Sequence, residues 1–154
     1  MVAFFTVSKR WDMSTNEQQY GQGDATLQAV GGLEGLQRLV EVFYRVMDEA
    51  PYAQEIRAMH PEDLASSIDK LARFLSGWMG GPRRYQEKYG SISIPQVHTP
   101  WQIYQEHAQA WLQCMADALV ELEYPTALRD YLLYQLARPA QMIVHVSAQY
   151  HGSE

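Results

Sequence analysis

The sequence predicts an all-α fold. Apolar and polar residues never alternate for more than about three positions, so no strand is indicated. Apolar residues recur instead at three- and four-residue spacing along successive stretches of the chain. The connectors between these stretches are short and punctuated by Gly and Pro, which suits helices packed against one another.

Residues 1–25 have no clear period and read as an extension. Within it, QGDATLQ can open a short helix with Asp24 as its cap. From Gly31-Gly32 onward, Leu33, Leu36, Val40, Phe43 and Met47 form one helical stripe. Pro51 ends that helix, and a further turn runs to Met59. A residue before proline avoids the helical region, so His60-Pro61 is a corner. Pro61-Glu62-Asp63 then places a proline and two acids where a helix should begin. Leu64, Ile68, Leu71, Leu75 and Trp78 make its stripe, and Gly80-Gly81-Pro82 stops it.

Residues 82–97 read as irregular, with one turn over Arg84–Lys88 and a short extended run leading to His98. Trp101, Tyr104, Ala108, Trp111, Met115, Ala118 and Leu122 form the longest stripe. Pro125 breaks it and opens the last helix, where Leu128, Leu132, Leu136, Ile143 and Val146 face inward. Pro139 lies inside that helix and is expected to kink it. Residues 26–154 thus form one domain, with no internal repeat or low-complexity tract.

Composition narrows the functional classes. A chain of 154 residues with 47% apolar residues can bury a real core. A net charge of −6 argues against a nucleic-acid partner and against an anionic membrane surface. No run approaches the ~20 apolar residues of a membrane span. The apolar run near the N-terminus is short and precedes its basic pair, the reverse of a secretory signal. A single cysteine, Cys114, excludes an internal disulfide and fits a reducing, cytoplasmic setting. On its helix it reads as a small hydrophobe.

Candidate chemistry gathers around three aromatic or imidazole side chains. His98 is bracketed by Pro95 and Pro100 on a short, stiff element. By itself it is either a corner histidine bonded to local backbone or a metal ligand. Tyr44 and Trp111 lie on core stripes of different helices. They are packed aromatics, or they are buried donors that need an acceptor. A histidine ligand with a tyrosine and a tryptophan from other helices has the layout of a haem pocket. No zinc-type Cys/His cluster, phosphate loop or nucleophile elbow is present.

The segments GGLEGLQRLVEVFYRVM, HPEDL, FLSGWMGGPRRYQEKYG, HTPWQI and AWLQCM, in this order and spacing, resemble the group II truncated haemoglobins over roughly residues 28–150. The resemblance implies a truncated globin fold, a two-over-two helical sandwich around haem b. It makes His98 the proximal ligand of the iron, with the other ring nitrogen bonded to a backbone carbonyl. It makes Tyr44 and Trp111 donors to a diatomic ligand. Leu71 and Phe74 become pocket wall. Ser67 takes the place of the distal histidine of ordinary globins and, being small, leaves a side route to the iron.

Two positions depart from the family pattern. His60 stands where an aromatic ring is common. It is a ring packed on the haem edge, a bonding partner of Tyr44 or of the ligand, or a sixth iron ligand. Gln96-Val97 stands where an arginine often precedes the proximal histidine, so Lys70, Arg73, Arg83, Arg84 and Tyr85 are the substitutes for contacting the propionates. His107, one turn before Trp111, can reach a propionate or simply be solvated or partly buried. His145, among apolar residues, and His151, in the tail, carry no assigned role.

The expectation is a haem-b globin that binds dioxygen and other diatomic ligands. Its implied uses are oxygen transport, nitric oxide oxidation or peroxide reduction, with an unidentified reductase. The rival is a haem-free globin-fold module for interaction or sensing, whose pocket would have no need of polar groups at Tyr44 and Trp111.

Overall fold

A computed structural model describes residues 19–152, and all regular structure among them is helical. The helices are α1 (Ala25–Val30), α2 (Gly32–Glu49), a 3-10 turn (Pro51–Ala53), α3 (Gln54–Ala58), α4 (Ala65–Trp78), α5 (Arg84–Tyr89), α6 (Ile94–Val97), α7 (Gln105–Glu121) and α8 (Thr126–His151). Most of the N-terminal extension, residues 1–18, lies outside the described residues.

α2 is the central element. It packs on α4 on one side and on α7 on another, and α7 in turn packs on α8. Two helix pairs, α2 with α4 and α7 with α8, therefore meet through α2 and α7. Their shared core holds Leu36, Leu39, Val40, Phe43 and Met47 of α2, Leu75 of α4, Met115 and Leu119 of α7, and Leu128 and Leu132 of α8. At about 25 cal/mol per Å² of buried apolar area, these residues are the main source of cohesion.

The chain passes from α1 to α2 through Gly31, whose φ of 106° is left-handed and favours glycine. Gly35 lets α2 lie against the end of α1, because a Cβ there would fall 2.1 Å from the Val30 carbonyl oxygen. The Tyr124 hydroxyl donates to that same oxygen at 2.5 Å and ties the α7–α8 connection to this junction.

Several local expectations are corrected. Asp24 stands at the N-cap of α1 but makes no capping bond, since its carboxylate accepts from the Gln28 side chain instead. Leu33 is exposed, and the α2 stripe begins at Leu36. α4 starts at Ala65, not at Pro61, and the Asp63 carboxylate accepts the Ala65 N–H. Pro61 and Glu62 belong to the corner, where the Arg57 guanidinium donates to both of their carbonyl oxygens and to Asp48. In the run before His98, Ser93 is extended, and Pro95 then sits in the first turn of α6. Trp101 and Tyr104 precede α7 and are exposed, so the buried stripe of that helix starts at Ala108. Pro139 lies inside α8, as expected. Beyond it Ile143 and Val146 are only half-buried, and Ser147 is the buried position.

Candidate functional site

His98 caps the C-terminus of α6. Its Nδ1 lies 2.6 Å from the Ile94 carbonyl oxygen, four residues back. A carbonyl only accepts, so Nδ1 carries the proton and Nε2 keeps a lone pair. No described residue bonds to that Nε2. Burial lowers the imidazole pKa, partly opposed by the bond to Ile94, so His98 is neutral at pH 7. This is the tautomer and charge state that a metal-ligating histidine requires.

His60 repeats the arrangement at the corner after α3. Its Nδ1 lies 2.8 Å from the Ile56 carbonyl oxygen, again four residues back, which leaves Nε2 unprotonated. Burial lowers its pKa; the bond to Ile56 opposes this, and the charges of Arg57 and His98 lower it further. A proton on His98 would thus be felt at His60.

The aromatic residues form one connected wall. The Tyr44 and His60 rings meet edge to face with centroids 5.5 Å apart. Phe43 packs against Tyr44 at 4.9 Å and against Trp111 at 5.0 Å. Phe43 is fully buried and joins the two donor residues across α2 and α7. Its signal in the sequence was its place on the α2 stripe beside Tyr44, which marked it as core rather than as site. Burial raises the Tyr44 pKa, so its hydroxyl keeps its proton. Tyr44 is 5% exposed, and its hydroxyl bonds to no described residue. Leaving such a group unpaired costs roughly 1–3 kcal/mol. The half-buried Trp111 indole N–H is likewise without an acceptor among the described residues.

The structure thus brings Tyr44, His60, Phe43 and Trp111 together, with His98 within electrostatic reach of His60. Ser67, Leu71 and Phe74 are half-buried on α4, and Leu71 and Phe74 rest against the apolar core. Lys70 and Tyr85 belong to another cluster. Lys70 sits 5.5 Å over the Tyr89 ring, and Tyr85 packs on the same ring at 4.9 Å. Beneath them the Asp69 carboxylate accepts from Tyr89 at 2.6 Å and from Lys88 and Arg73 at 2.9 Å. These donors, Tyr89 and Lys88 first, hold Asp69 well below the usual carboxylate range. Arg73 is therefore engaged, whereas Arg83 and Arg84 have no ion-pair partner among the described residues.

The other histidines divide cleanly. His107 is buried and uses both nitrogens within the fold. Nδ1 accepts the Tyr104 N–H at 3.0 Å, and Nε2–H donates to Glu55 at 2.8 Å, joining the start of α7 to α3. His145 is exposed, contrary to the apolar setting its sequence neighbours suggested. His151 is no tail residue: it ends α8 and bonds to the connector after His98. Cys114 is buried, and burial pushes its thiol up to about 11, which fits a small packed hydrophobe.

The two depressed imidazoles set a pH dependence. His60 and His98 bind fewer protons folded than unfolded, so their contribution to stability is present above the unfolded value near 6.5 and is lost as the pH falls from there through their lower folded values. The thermal midpoint of the ligand-free protein is expected to fall between about pH 7 and pH 5. The fall should be shallower in His60→Phe, which keeps one such imidazole. Equal slopes in calorimetry of the two proteins would remove His60 from this account.

The bacterial-like globin family model matches residues 26–145. The chain is 32% identical over 122 residues to the group 2 truncated haemoglobin YjbI of Bacillus subtilis, covering 79% of this chain and 89% of the relative. The fold is similar to that of the group II 2-on-2 haemoglobin from Agrobacterium tumefaciens, with a TM-score of 0.72, 32% identity, and coverage of 77% of this chain and 92% of the other. It is similar also to the truncated oxygen-avid haemoglobin from Bacillus subtilis, with a TM-score of 0.70, 33% identity, and coverage of 77% and 98%.

Proposed function

The chain belongs to the bacterial-like globin family, as a group II truncated haemoglobin, and from that premise we propose that it holds haem b through His98 and binds dioxygen and other diatomic ligands beside Tyr44 and Trp111. The observation that carries this reading is a matched set of unsatisfied groups. His98 presents a free lone pair, while Tyr44 and Trp111 are donors without acceptors. Among the described residues, no three of His, Cys, Asp and Glu gather into a site for a bare metal ion. An iron held by His98 must bring most of its ligands with it, as a porphyrin does.

Haem supplies the coordination position for the diatomic ligand and a one-electron couple. The residues supply everything else. The bond from His98 Nδ1 to Ile94 orients the imidazole and fixes its tautomer. The Tyr44 and Trp111 donors would meet negative charge on a diatomic ligand, and Phe43 packs against both rings. Leu71 and Phe74 exclude water, and the short Ser67 side chain leaves a side route open. Arg83 and Arg84, with Lys70 and Tyr85, are the groups available to the haem carboxylates. The use we favour is redox: oxidation of nitric oxide by dioxygen to nitrate, which would need one electron from a separate reductase. Peroxide reduction ranks below it, because His60, the imidazole beside Tyr44, has no carboxylate partner among the described residues to make an acid–base pair.

The visible spectrum of purified protein after addition of haem tests the cofactor. A strong Soret band, shifting on exposure to dioxygen or carbon monoxide, is expected. Its absence would overturn the haem reading in favour of a haem-free interaction or sensor module.

A further inference from the structure

The connector from His98 to α7 is poorly packed and yet firmly held. Pro100, Trp101 and Gln102 are exposed. A hollow of about 180 Å³, lined by Ile103, Tyr104, Val144 and Ala148 among others, lies between this strap and α8. Apolar burial therefore does little to fix it, and hydrogen bonds from the end of α8 take that part. The Ser147 hydroxyl accepts the Ile103 N–H at 2.8 Å and donates to the Trp101 carbonyl at 3.3 Å. His151 Nε2 lies 2.8 Å from the Thr99 carbonyl and 3.0 Å from the Trp101 carbonyl. Both of those oxygens only accept, so Nε2 carries the proton and donates to the pair. The Trp101 N–H in turn donates to the His98 carbonyl at 3.2 Å. A continuous chain of bonds thus runs from α8, through the Trp101 peptide, to the backbone of His98.

We infer that Ser147 and His151 are positioning residues for His98. They latch the strap to the last helix and so set where the imidazole stands, and this rests on the reading of His98 as the iron ligand. Ser147 is 2% exposed, and its hydroxyl both accepts and donates on the strap. His151 is the last residue of α8 and spends its single donor on two strap carbonyls, those of Thr99 and Trp101, 52 and 50 residues away in sequence. Neither residue touches the aromatic wall, so neither is a catalytic residue.

The test compares wild type, His151→Ala, His151→Gln and Ser147→Ala. Glutamine keeps an N–H donor near the position of Nε2. In the haem-free chain, His151→Ala and Ser147→Ala should speed hydrogen exchange of the strap amides, residues 99–103, by roughly tenfold, the loss of about one net hydrogen bond. Amides of α2 should not change, and His151→Gln should restore slow exchange. In the haem-loaded chain, the same two alanine variants should shift or broaden the iron–histidine stretching band and speed haem transfer to an apomyoglobin acceptor, with glutamine again restoring both. Strap exchange at the wild-type rate in both alanine variants would overturn the latch. A loosened strap with an unchanged iron–histidine band would overturn the positioning role and leave only packing. A wild-type protein that shows no iron–histidine band at all would instead overturn the haem reading on which the role depends.

Discussion

His98→Ala is expected to leave a folded helical protein that no longer retains haem. The side chain supplies the one lone pair proposed to reach the iron, and its orientation comes from its own backbone through Ile94. Removing an outer-shell partner of a metal ligand typically costs 10–100-fold in metal affinity, and removing the ligand itself should cost more. Retained haem per chain after gel filtration should therefore drop by at least that range. Exogenous imidazole, which can occupy the cleared position, should recover part of the Soret intensity. Far-ultraviolet circular dichroism should be unchanged, because His98 lies at the end of a four-residue helix outside the buried core. Full haem content with an unaltered ferrous spectrum would show that another residue ligates the iron.

Tyr44→Phe and Trp111→Phe are expected to accelerate dioxygen release. Each removes a donor and preserves a ring on the wall centred on Phe43. A hydrogen bond to a charged partner contributes about 1.5–3 kcal/mol, so each loss should raise the release rate roughly tenfold or more, as read by stopped-flow displacement with carbon monoxide. The double variant should fall short of the product, because both donors share one acceptor. Tyr44→Phe carries a second expectation that separates a ligand donor from a structural bond. The hydroxyl has no partner among the described residues, so its removal should leave the thermal midpoint of the haem-free chain unchanged or slightly raised. Release at the wild-type rate in both single variants would exclude these residues from ligand stabilisation.

His60 marks how far local reading reaches. The Pro61 that follows it was enough to place it at a corner. Its aromatic contact with Tyr44 follows from where α3 docks, and the bond to Ile56 that leaves Nε2 free is a matter of backbone geometry at the end of that helix. Lys70 and Tyr85 show the same limit. Their shared contact with the Tyr89 ring, beside an Asp69 carboxylate that sequence reading did not single out, follows from how α4 and α5 pack.

By itself the sequence determined the helical class, the main helix stops at Pro51, Gly80-Gly81-Pro82 and Pro125, and the buried stripes centred on Val40, Leu75, Met115 and Leu132. It also carried the resemblance that singled out His98, Tyr44 and Trp111. These are properties of single segments, since periodicity and the backbone limits of Gly and Pro act within a few residues. Tertiary structure alone decided that Trp101 and Tyr104 face solvent, that α4 begins at Ala65, and that Phe43 bridges the two donors. It alone decided that His107 serves a helix start while His151 and Ser147 hold the strap behind His98. The physical reason is that hydrogen-bond partners about fifty residues apart leave no local period: an imidazole looks the same in sequence whether its lone pair meets a backbone N–H, a carboxylate's neighbour or an iron, and only the packing of whole helices settles which one lies within reach.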